Sequence, residues 1–311
     1  MGWRDRTAVA ENPNTTVEVL RRLAMDDDWR VRVSVARNTN APAEALEKLA
    51  TDENEYVRQS VAGNPNTPTE LLTKLATDES IHVRWGVAEN PSTPTEVLSR
   101  LATNKFSDVR RIAVRNPSFP VEMLERLATD EDWKIRRAVA GNTSAPGEVL
   151  TKLAMDEDWQ IRQAVAGNPS ASAEVLAELA TDKYLNVRRA VAGNPSASAE
   201  ALVVLASDED RHIRRETANN TNSPADVLNK LATDEDVNVR LAVAENINVI
   251  ESILLMAYRD RSPSVREAVA RNPKIPPEAV KRLSLSKVSR IRRALAKNPS
   301  VPEHIRVGLS L

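Results

Sequence analysis

The feature that most constrains the fold is a period of 26 residues that runs through the whole chain. It is marked by an asparagine at Asn12, Asn38, Asn64, Asn90, Asn116, Asn142, Asn168, Asn194, Asn220, Asn246, Asn272 and Asn298. An arginine lies six residues before each one, at Arg6, Arg32, Arg58, Arg84, Arg110, Arg136, Arg162, Arg188, Arg214, Arg240, Arg266 and Arg292. Two positions kept through twelve rows without insertion or deletion indicate a single repeat array over residues 1–311.

Each repeat has the pattern of two short helices. In the sixth repeat Asp130 is the predicted N-cap of the first helix, and Ile135, Ala138 and Val139 form an apolar stripe at spacings of three and four. That helix is expected to end near Asn142, because a proline follows this asparagine in most repeats and disfavours a helical residue before it.

The second helix has its own start signal. Thr67-Pro68-Thr69-Glu70 has the form of a capping box with proline at the first helical position, and Leu71, Leu72 and Leu75 follow as the buried stripe. Helices this short are marginal alone, so the stripes must be buried by stacking. The sequence therefore predicts an all-α solenoid of twelve 26-residue two-helix repeats.

Composition excludes several classes of protein. The chain has 43 basic and 44 acidic side chains, so it has no overall attraction to nucleic acid or anionic lipid. It has no cysteine, which excludes disulfides, thiolate-bound iron–sulfur clusters and thiol catalysis. We expect no signal peptide and no membrane span, because no long uncharged apolar window occurs, and we expect a cytoplasmic protein.

The repeated motif is similar to that of a known family. The pattern V-R-x-A-V-A-x-N-P-x-T-P-x-E-x-L-x-x-L-A-x-D, as in residues 57–78, resembles the leucine-rich repeat variant family of bacterial α-solenoids, and residues 153–165 resemble HEAT and armadillo-like repeats. The resemblance implies a right-handed solenoid in which one helix of each repeat is partly 3₁₀. The family's repeats are usually shorter. One relative carries a cysteine-rich iron–sulfur segment, which this chain cannot supply, so no cofactor is expected.

The invariant arginine and asparagine have two possible interpretations. They could form a ladder of cations or amides that faces a ligand. We favour a structural role, because stacking needs the same residue in every repeat whereas a binding site uses some repeats only. The arginine is expected to pair with the aspartate of an inter-repeat turn, with Asn104 and Ser286 as exceptions. The asparagine amide is expected to bridge backbone groups of adjacent turns.

Function is sought at the positions that vary. The position three residues before each arginine holds Trp3, Trp29, Glu55, Ile81, Ser107, Trp133, Trp159, Leu185, Arg211, Val237, Pro263 and Ser289. The position one residue after it holds Thr7, Val33, Gln59, Trp85, Arg111, Arg137, Gln163, Arg189, Arg215, Leu241, Glu267 and Arg293. The two columns are four residues apart and share a helix face. In HEAT-like solenoids the corresponding helix lines the concave surface.

All five tryptophans fall in these two columns, and tryptophan and arginine are enriched at binding hot spots. The candidate binding residues are Trp29, Trp85, Trp133, Trp159, Arg111, Arg137, Arg189 and Arg215. Two alternatives stay open: the rings could cover seams between repeats, and aromatic rings with arginines could bind nucleic acid. Residues 261–311 carry 12 basic and three acidic side chains; this basic end, with Arg290, Arg292, Arg293 and Lys297, is either a soluble capping segment or a second anionic-partner site.

We find no active site in the sequence. The histidines His82, His212 and His304 lie in repeats four, nine and twelve, too far apart to converge on a metal or a proton. The sequence thus favours a non-enzymatic scaffold that binds a protein or peptide through its concave face, without metal. Nucleic-acid binding is the alternative, and a monomer is expected unless the repeat ends associate.

Overall fold

The structure is a computed structural model that describes residues 2–309, and in that range it contains 24 α-helices and no strand. The first helices of the repeats are α1 (Trp3–Glu11), α3 (Trp29–Arg37), α5 (Glu55–Gly63), α7 (Ile81–Glu89), α9 (Ser107–Arg115), α11 (Trp133–Ala140), α13 (Trp159–Ala166), α15 (Leu185–Gly193), α17 (Arg211–Asn219), α19 (Val237–Glu245), α21 (Pro263–Arg271) and α23 (Ser289–Lys297). The second helices are α2 (Val17–Leu23), α4 (Ala43–Leu49), α6 (Thr69–Leu75), α8 (Thr95–Leu101), α10 (Val121–Leu127), α12 (Gly147–Leu153), α14 (Ala173–Leu179), α16 (Ala199–Leu205), α18 (Ala225–Leu231), α20 (Glu251–Ala257), α22 (Pro277–Ser284) and α24 (Glu303–Leu309). The predicted two-helix repeats are confirmed. Within the described residues, backbone bonds between residues three apart occur at helix ends, as from Asp26 N–H to Leu23 O at 3.1 Å, and in the turns after the invariant asparagines, as from Thr67 N–H to Asn64 O at 3.0 Å.

The chain divides into two compact units, residues 1–149 and 150–311, with the boundary inside α12. The two are built alike. In each, consecutive first helices pack on one another, and every second helix packs on the first helices beside it. The first-helix faces that point away from the core therefore lie side by side along each compact unit.

Two columns of fully buried side chains run through the core. One lies on the first helices, directly before the invariant arginine, at Val31, Val57, Val83, Val109, Ile135, Ile161, Val187, Ile213, Val239, Val265 and Ile291. The other lies on the second helices, at Leu20, Leu46, Leu72, Leu98, Leu124, Leu150, Leu176, Leu202, Leu228 and Leu254. Because a buried leucine or valine stabilises the fold by about 1.5–3 kcal/mol relative to exposure, stacking provides what single short helices lack.

The first helices begin two residues later than the sequence predicts. The N-cap of α11 is Asp132, whose carboxylate accepts from Lys134 N–H at 2.9 Å. Asp130 was predicted to be this cap and is not; it accepts from Asp132 N–H at 2.9 Å and so holds the turn before the helix. Both aspartates are suited to accept from the backbone two residues on, so composition alone does not distinguish them.

The capping box predicted at Thr67 and at Thr93 is also wrong. The N-cap of α6 is Pro68, with no side-chain cap bond, and Thr67 is buried. The Thr67 hydroxyl donates to Val61 O at 2.6 Å, so it satisfies the last turn of the preceding helix instead of the first turn of the next one. Thr93 does the same with Val87 O. A hydroxyl can donate as well as accept, and here the free carbonyls of the preceding helix take it.

The invariant asparagines bridge neighbouring repeats, as predicted. The Asn64 amide nitrogen donates to Ala36 O at 2.7 Å and to Asn38 O at 3.0 Å, while its carbonyl accepts from Asn66 N–H at 2.9 Å. Two amide donors and one acceptor are thereby satisfied inside the protein. The same pair of contacts to the preceding repeat is made by Asn38, Asn90, Asn116, Asn194, Asn220, Asn246, Asn272 and Asn298.

The invariant arginines pair with turn aspartates, again as predicted. The partner lies 20 residues further on, in the pairs Arg6–Asp26, Arg32–Asp52, Arg58–Asp78, Arg110–Asp130, Arg162–Asp182, Arg188–Asp208, Arg214–Asp234 and Arg240–Asp260. The Arg6 hydrogen bond holds the pKa of Asp26 below its usual value against the opposing effect of burial. The invariant arginines and asparagines thus hold neighbouring repeats together. They do not form a ladder that faces a ligand.

Candidate functional site

The two variable columns lie on the accessible side of the first helices. No residue of the column that contains Trp3, Trp29, Trp133 and Trp159 is buried, and in the column that contains Trp85 only Val33 is. The reason is the helix period. The positions directly before the invariant arginine and three residues after it face the core, and the two columns, three residues before and one residue after the arginine, lie on the opposite side of the helix.

A stack of aromatic and cationic side chains runs across the first three repeats. The Arg30 guanidinium lies 4.8 Å from the Trp3 ring centroid and 5.0 Å from that of Trp29. The Trp29 ring in turn lies 5.7 Å from the Tyr56 ring. Tyr56 is 51% exposed and Trp3 is 39% exposed. We call these four residues the Trp29 cluster. It covers the seams between repeats and still presents its outer faces to solvent.

The remaining tryptophans have different surroundings. Trp159 stacks on Tyr184 at 5.7 Å between ring centroids. Trp133 is half-buried at the start of α11 and lies four residues before the exposed Arg137. The Trp85 ring meets His82 edge-on at 4.8 Å, and its buried indole N–H has no acceptor within the described residues.

Three of the four candidate arginines are paired with carboxylates of this chain. Arg189 and Arg215 both reach Glu216, at 3.8 Å and 2.9 Å. Arg111 pairs with Asp108 one turn earlier at 3.1 Å. The structure therefore joins Arg189 and Arg215 in one cluster, while Trp29, Trp85 and Arg111 lie on separate helices of the first compact unit.

Sequence reasoning missed the partners of the tryptophans. Tyr56, Tyr184 and Arg30 lie outside the two columns, yet each contacts a tryptophan of the preceding repeat. The signal was available as a spacing of 25 or 27 residues, one away from the period, as between Trp29 and Tyr56. Columns of residues exactly 26 apart do not reveal these contacts. A side chain on one helix contacts a residue on the next helix that is shifted by one position from its equivalent.

Some of the basic side chains in residues 261–311 already bind groups of this chain. Arg290 Nε lies 3.2 Å from a Glu267 oxygen, and Arg292 donates to Ser286 O. Within residues 2–309 no group of three histidine or acidic side chains is placed to hold a metal ion, and no helix is long and apolar enough to cross a bilayer.

The comparisons with known proteins agree with this architecture. The leucine rich repeat variant family model matches residues 29–54, 57–80, 108–132, 133–158, 159–183 and 185–210. A solved structure described as a leucine-rich repeat variant with a novel repetitive motif is 30% identical, with 68% of this chain and 84% of that chain covered and a TM-score of 0.50.

More distant solenoids match over greater lengths. A chain from a Kap95p–RanGDP structure is 10% identical over 95% of this chain and 54% of that chain, with a TM-score of 0.45, and one from a Kap95–Nup1 complex is 10% identical over 95% and 55%, with 0.46. No curated protein matches. The period, the two-helix repeats and the match to a solved repeat variant together show that the chain belongs to the leucine-rich repeat variant family.

Proposed function

We propose that this chain is a non-enzymatic scaffold that binds a protein or peptide partner through the accessible side of its first helices, the side expected to be concave. The observation that carries the proposal is the Trp29 cluster, in which Trp3, Arg30, Trp29 and Tyr56 are pre-stacked and partly exposed. Such rings present large apolar area with little side-chain entropy left to lose, which is typical of interface hot spots.

The proposal extends along both compact units through Trp85, Trp133, Trp159 and the arginine column. Nucleic-acid binding is the alternative, and the excess of positive charge in residues 261–311 favours it. The pairing of Arg111, Arg189 and Arg215 with carboxylates weakens that alternative, because a phosphate would have to displace a partner already in place.

Selection from a displayed random-peptide library tests the proposal. We expect enriched peptides to bind the wild-type chain and to lose at least about tenfold in affinity on a Trp29→Ala, Tyr56→Ala variant, since a hot spot carries more than about 1.4 kcal/mol. A Val203→Ala, Val204→Ala variant is the control, because these residues are exposed on a second helix and should leave affinity unchanged.

Two outcomes would contradict the proposal. One is a set of enriched peptides that bind the double aromatic variant as tightly as the wild type while both proteins melt at the same temperature. The other is the absence of enrichment together with binding of single-stranded or duplex oligonucleotides, which would move function to the basic end.

A further inference from the structure

The arginine–aspartate pairs show which group the invariant guanidinium binds within the chain, namely a carboxylate. In repeat three the Arg58 Nε and Nη2 atoms donate to the two Asp78 oxygens at 2.8 Å and 3.0 Å. The third nitrogen, Nη1, donates to Asp52 O at 2.8 Å and Glu53 O at 3.2 Å. The side chain is thus fixed by the backbone on one edge and presents a two-donor edge to a carboxylate on the other.

Repeat four has the same arginine without the carboxylate. Arg84 Nη1 is bound to Asp78 O and Glu79 O as in the other repeats, and the residue is only 9% exposed. The position 20 residues on is Asn104, whose Oδ1 accepts from Phe106 N–H at 3.0 Å. The Asn104 amide is uncharged and offers one oxygen where an aspartate offers two, and it accepts no hydrogen bond from Arg84. Arg84 Nε is buried, and none of the described residues accepts its proton.

A pocket lies beside Arg84. It has a volume of about 580 Å³ and is lined by Arg84, Arg100, Lys105 and Phe106, among others. Phe106 is 41% exposed, and the Arg84 guanidinium lies 5.4 Å from its ring centroid. The pocket therefore combines a mostly buried guanidinium whose Nη2 has no partner among the described residues, two further cations and an apolar ring, all within the first compact unit.

Two acidic residues also line the pocket and limit the charge of its ligand. Asp78 is already held by Arg58, and Glu79 is exposed with its carboxylate 3.7 Å from Arg58 Nη2. Three cations against these two carboxylates leave a modest positive balance. That balance suits a singly charged carboxylate better than a doubly charged phosphate.

Repeat seven shows what completes the arrangement. Lys183 and Tyr184 stand where repeat four has Lys105 and Phe106, and the Arg162 guanidinium lies 5.6 Å from the Tyr184 ring. There Asp182 fills the arginine edge from within the chain, at 2.6 Å to Nε and 3.2 Å to Nη2. The arginine, the lysine and the aromatic ring correspond in the two places, while Arg100 of the pocket is replaced by Glu178. The carboxylate bound to Arg162 therefore indicates a carboxylate as the group that fits at Arg84.

We propose that the pocket around Arg84 is a carboxylate-binding site that takes the side chain of an aspartate or glutamate from a peptide partner. The carboxylate accepts from Arg84 Nη2, the guanidinium nitrogen that is neither buried nor bonded to a described residue, and the chain that carries it lies against Phe106. The peptide source rests on the proposed function, while the carboxylate chemistry stands on the pocket alone.

The side-chain Nε–H signals of the arginines in proton–nitrogen correlation spectra test the chemistry directly. We expect the Arg84 signal to shift in a saturable way on addition of sodium acetate and to stay unmoved by sodium chloride at equal ionic strength. The Arg58 signal is the reference in the same spectra, because its edge is occupied by Asp78. An Arg84 signal that does not respond to acetate, or that responds to inorganic phosphate and not to acetate, would overturn the assignment.

The Asn104→Asp variant restores the internal carboxylate and is the matched variant. It should keep the fold, raise the melting temperature and abolish the acetate response of Arg84, because the new carboxylate would occupy the edge as Asp182 does in repeat seven. An undiminished acetate response in this variant would place acetate elsewhere and refute the site.

The peptide source is tested with two blocked tripeptides, acetyl-Ala-Glu-Ala-amide and its Gln counterpart. We expect the Glu peptide to bind more tightly than acetate and at least about tenfold more tightly than the Gln peptide, because the amide leaves a buried charged donor poorly paired. Acetate binding without any gain for the Glu peptide would assign the pocket to free small carboxylates and overturn the peptide source. If Arg84 does not respond to acetate while the selected peptides still need Trp29 and Tyr56 for binding, the carboxylate site at Arg84 is refuted and the proposed function stands.

Discussion

A buried asparagine has to satisfy two donors and an acceptor, and Asn194 does so across three backbone groups. It is 2% exposed, donates to Ala166 O at 2.7 Å and Asn168 O at 2.9 Å, and accepts from Ser196 N–H at 2.7 Å. We predict that Asn194→Ala lowers the free energy of unfolding by about 2–4 kcal/mol, since all three groups lose a partner inside the protein. Urea denaturation measures the loss.

The control for this prediction is Asn12, which is exposed and accepts one hydrogen bond, from Asn14 N–H. Asn12→Ala should cost no more than about 1 kcal/mol, because water replaces the lost contact. Equal losses for the two variants would show that the amide ladder does not hold the repeats together.

The arginine–aspartate pairs predict how stability responds to acid. Burial raises the pKa of Asp182, but the hydrogen bonds from Arg162 and Tyr184 N–H outweigh it, and the net pKa is lowered; that of Asp26 is lowered chiefly by Arg6. A carboxylate whose pKa is lower in the folded state stabilises the protein at pH values above its unfolded-state pKa of about 3.9. This stabilisation is lost as the pH falls through the pKa of the folded state.

We therefore expect the urea midpoint to fall steeply below about pH 4. In the Asp182→Asn variant the midpoint should be lower at neutral pH and should fall less on acidification. A wild-type midpoint that is flat or rises over this range would contradict the role given to these pairs.

At the scale of the helix, packing is tightest where α5 meets α7. A Cβ added at Gly86 would lie 2.9 Å from Ala62 Cβ and 3.0 Å from Gln59 O. Alanine is favoured over glycine in a helix by about 1 kcal/mol, but here the two helices would have to separate, which costs about 1–3 kcal/mol. Thermal unfolding should show Gly86→Ala destabilised. Gly63→Ala, with nothing within 4 Å of its added Cβ, should be unchanged or more stable, and the reverse order would refute this packing.

The sequence predicted that helices exist and how they repeat, but it did not predict their first residues. The period of the apolar residues predicts which side of each first helix faces the core, and the invariant asparagine predicts where that helix ends. Their starts were misassigned because Asp130 and Asp132 can both cap, and Thr67 can either cap the next helix or close the previous one. For the candidate site the columns were correct in exposure, while the stacking of Trp29 on Tyr56 depends on an axial offset between helices that no single repeat reveals.

For the whole chain, the contact spacing predicts which lengths of sequence can be removed. Each asparagine amide contacts a backbone oxygen 26 residues earlier, and each paired arginine contacts an aspartate 20 residues later. Removal of one complete repeat therefore leaves the remaining asparagine and arginine contacts in register. Excision of residues 185–210, which removes α15 and α16 together, should give a cooperatively folded chain. An excision two residues shorter should unfold at lower temperature, because the contacts that cross the junction are then two residues out of register. Equal melting of both chains would argue against strict periodic stacking.

The central claim is that fixed residues build the stack while varied residues, led by the Trp29 cluster, bind a protein partner. The measurement that tests it most directly is the affinity of a selected peptide as a function of salt concentration, for the wild type and for the Trp29→Ala, Tyr56→Ala variant. We expect a weak dependence on salt and an affinity at least about tenfold lower for the variant at every salt concentration. A linear fall of log affinity with log salt that is the same for both proteins would contradict it and indicate a polyanion bound by charge.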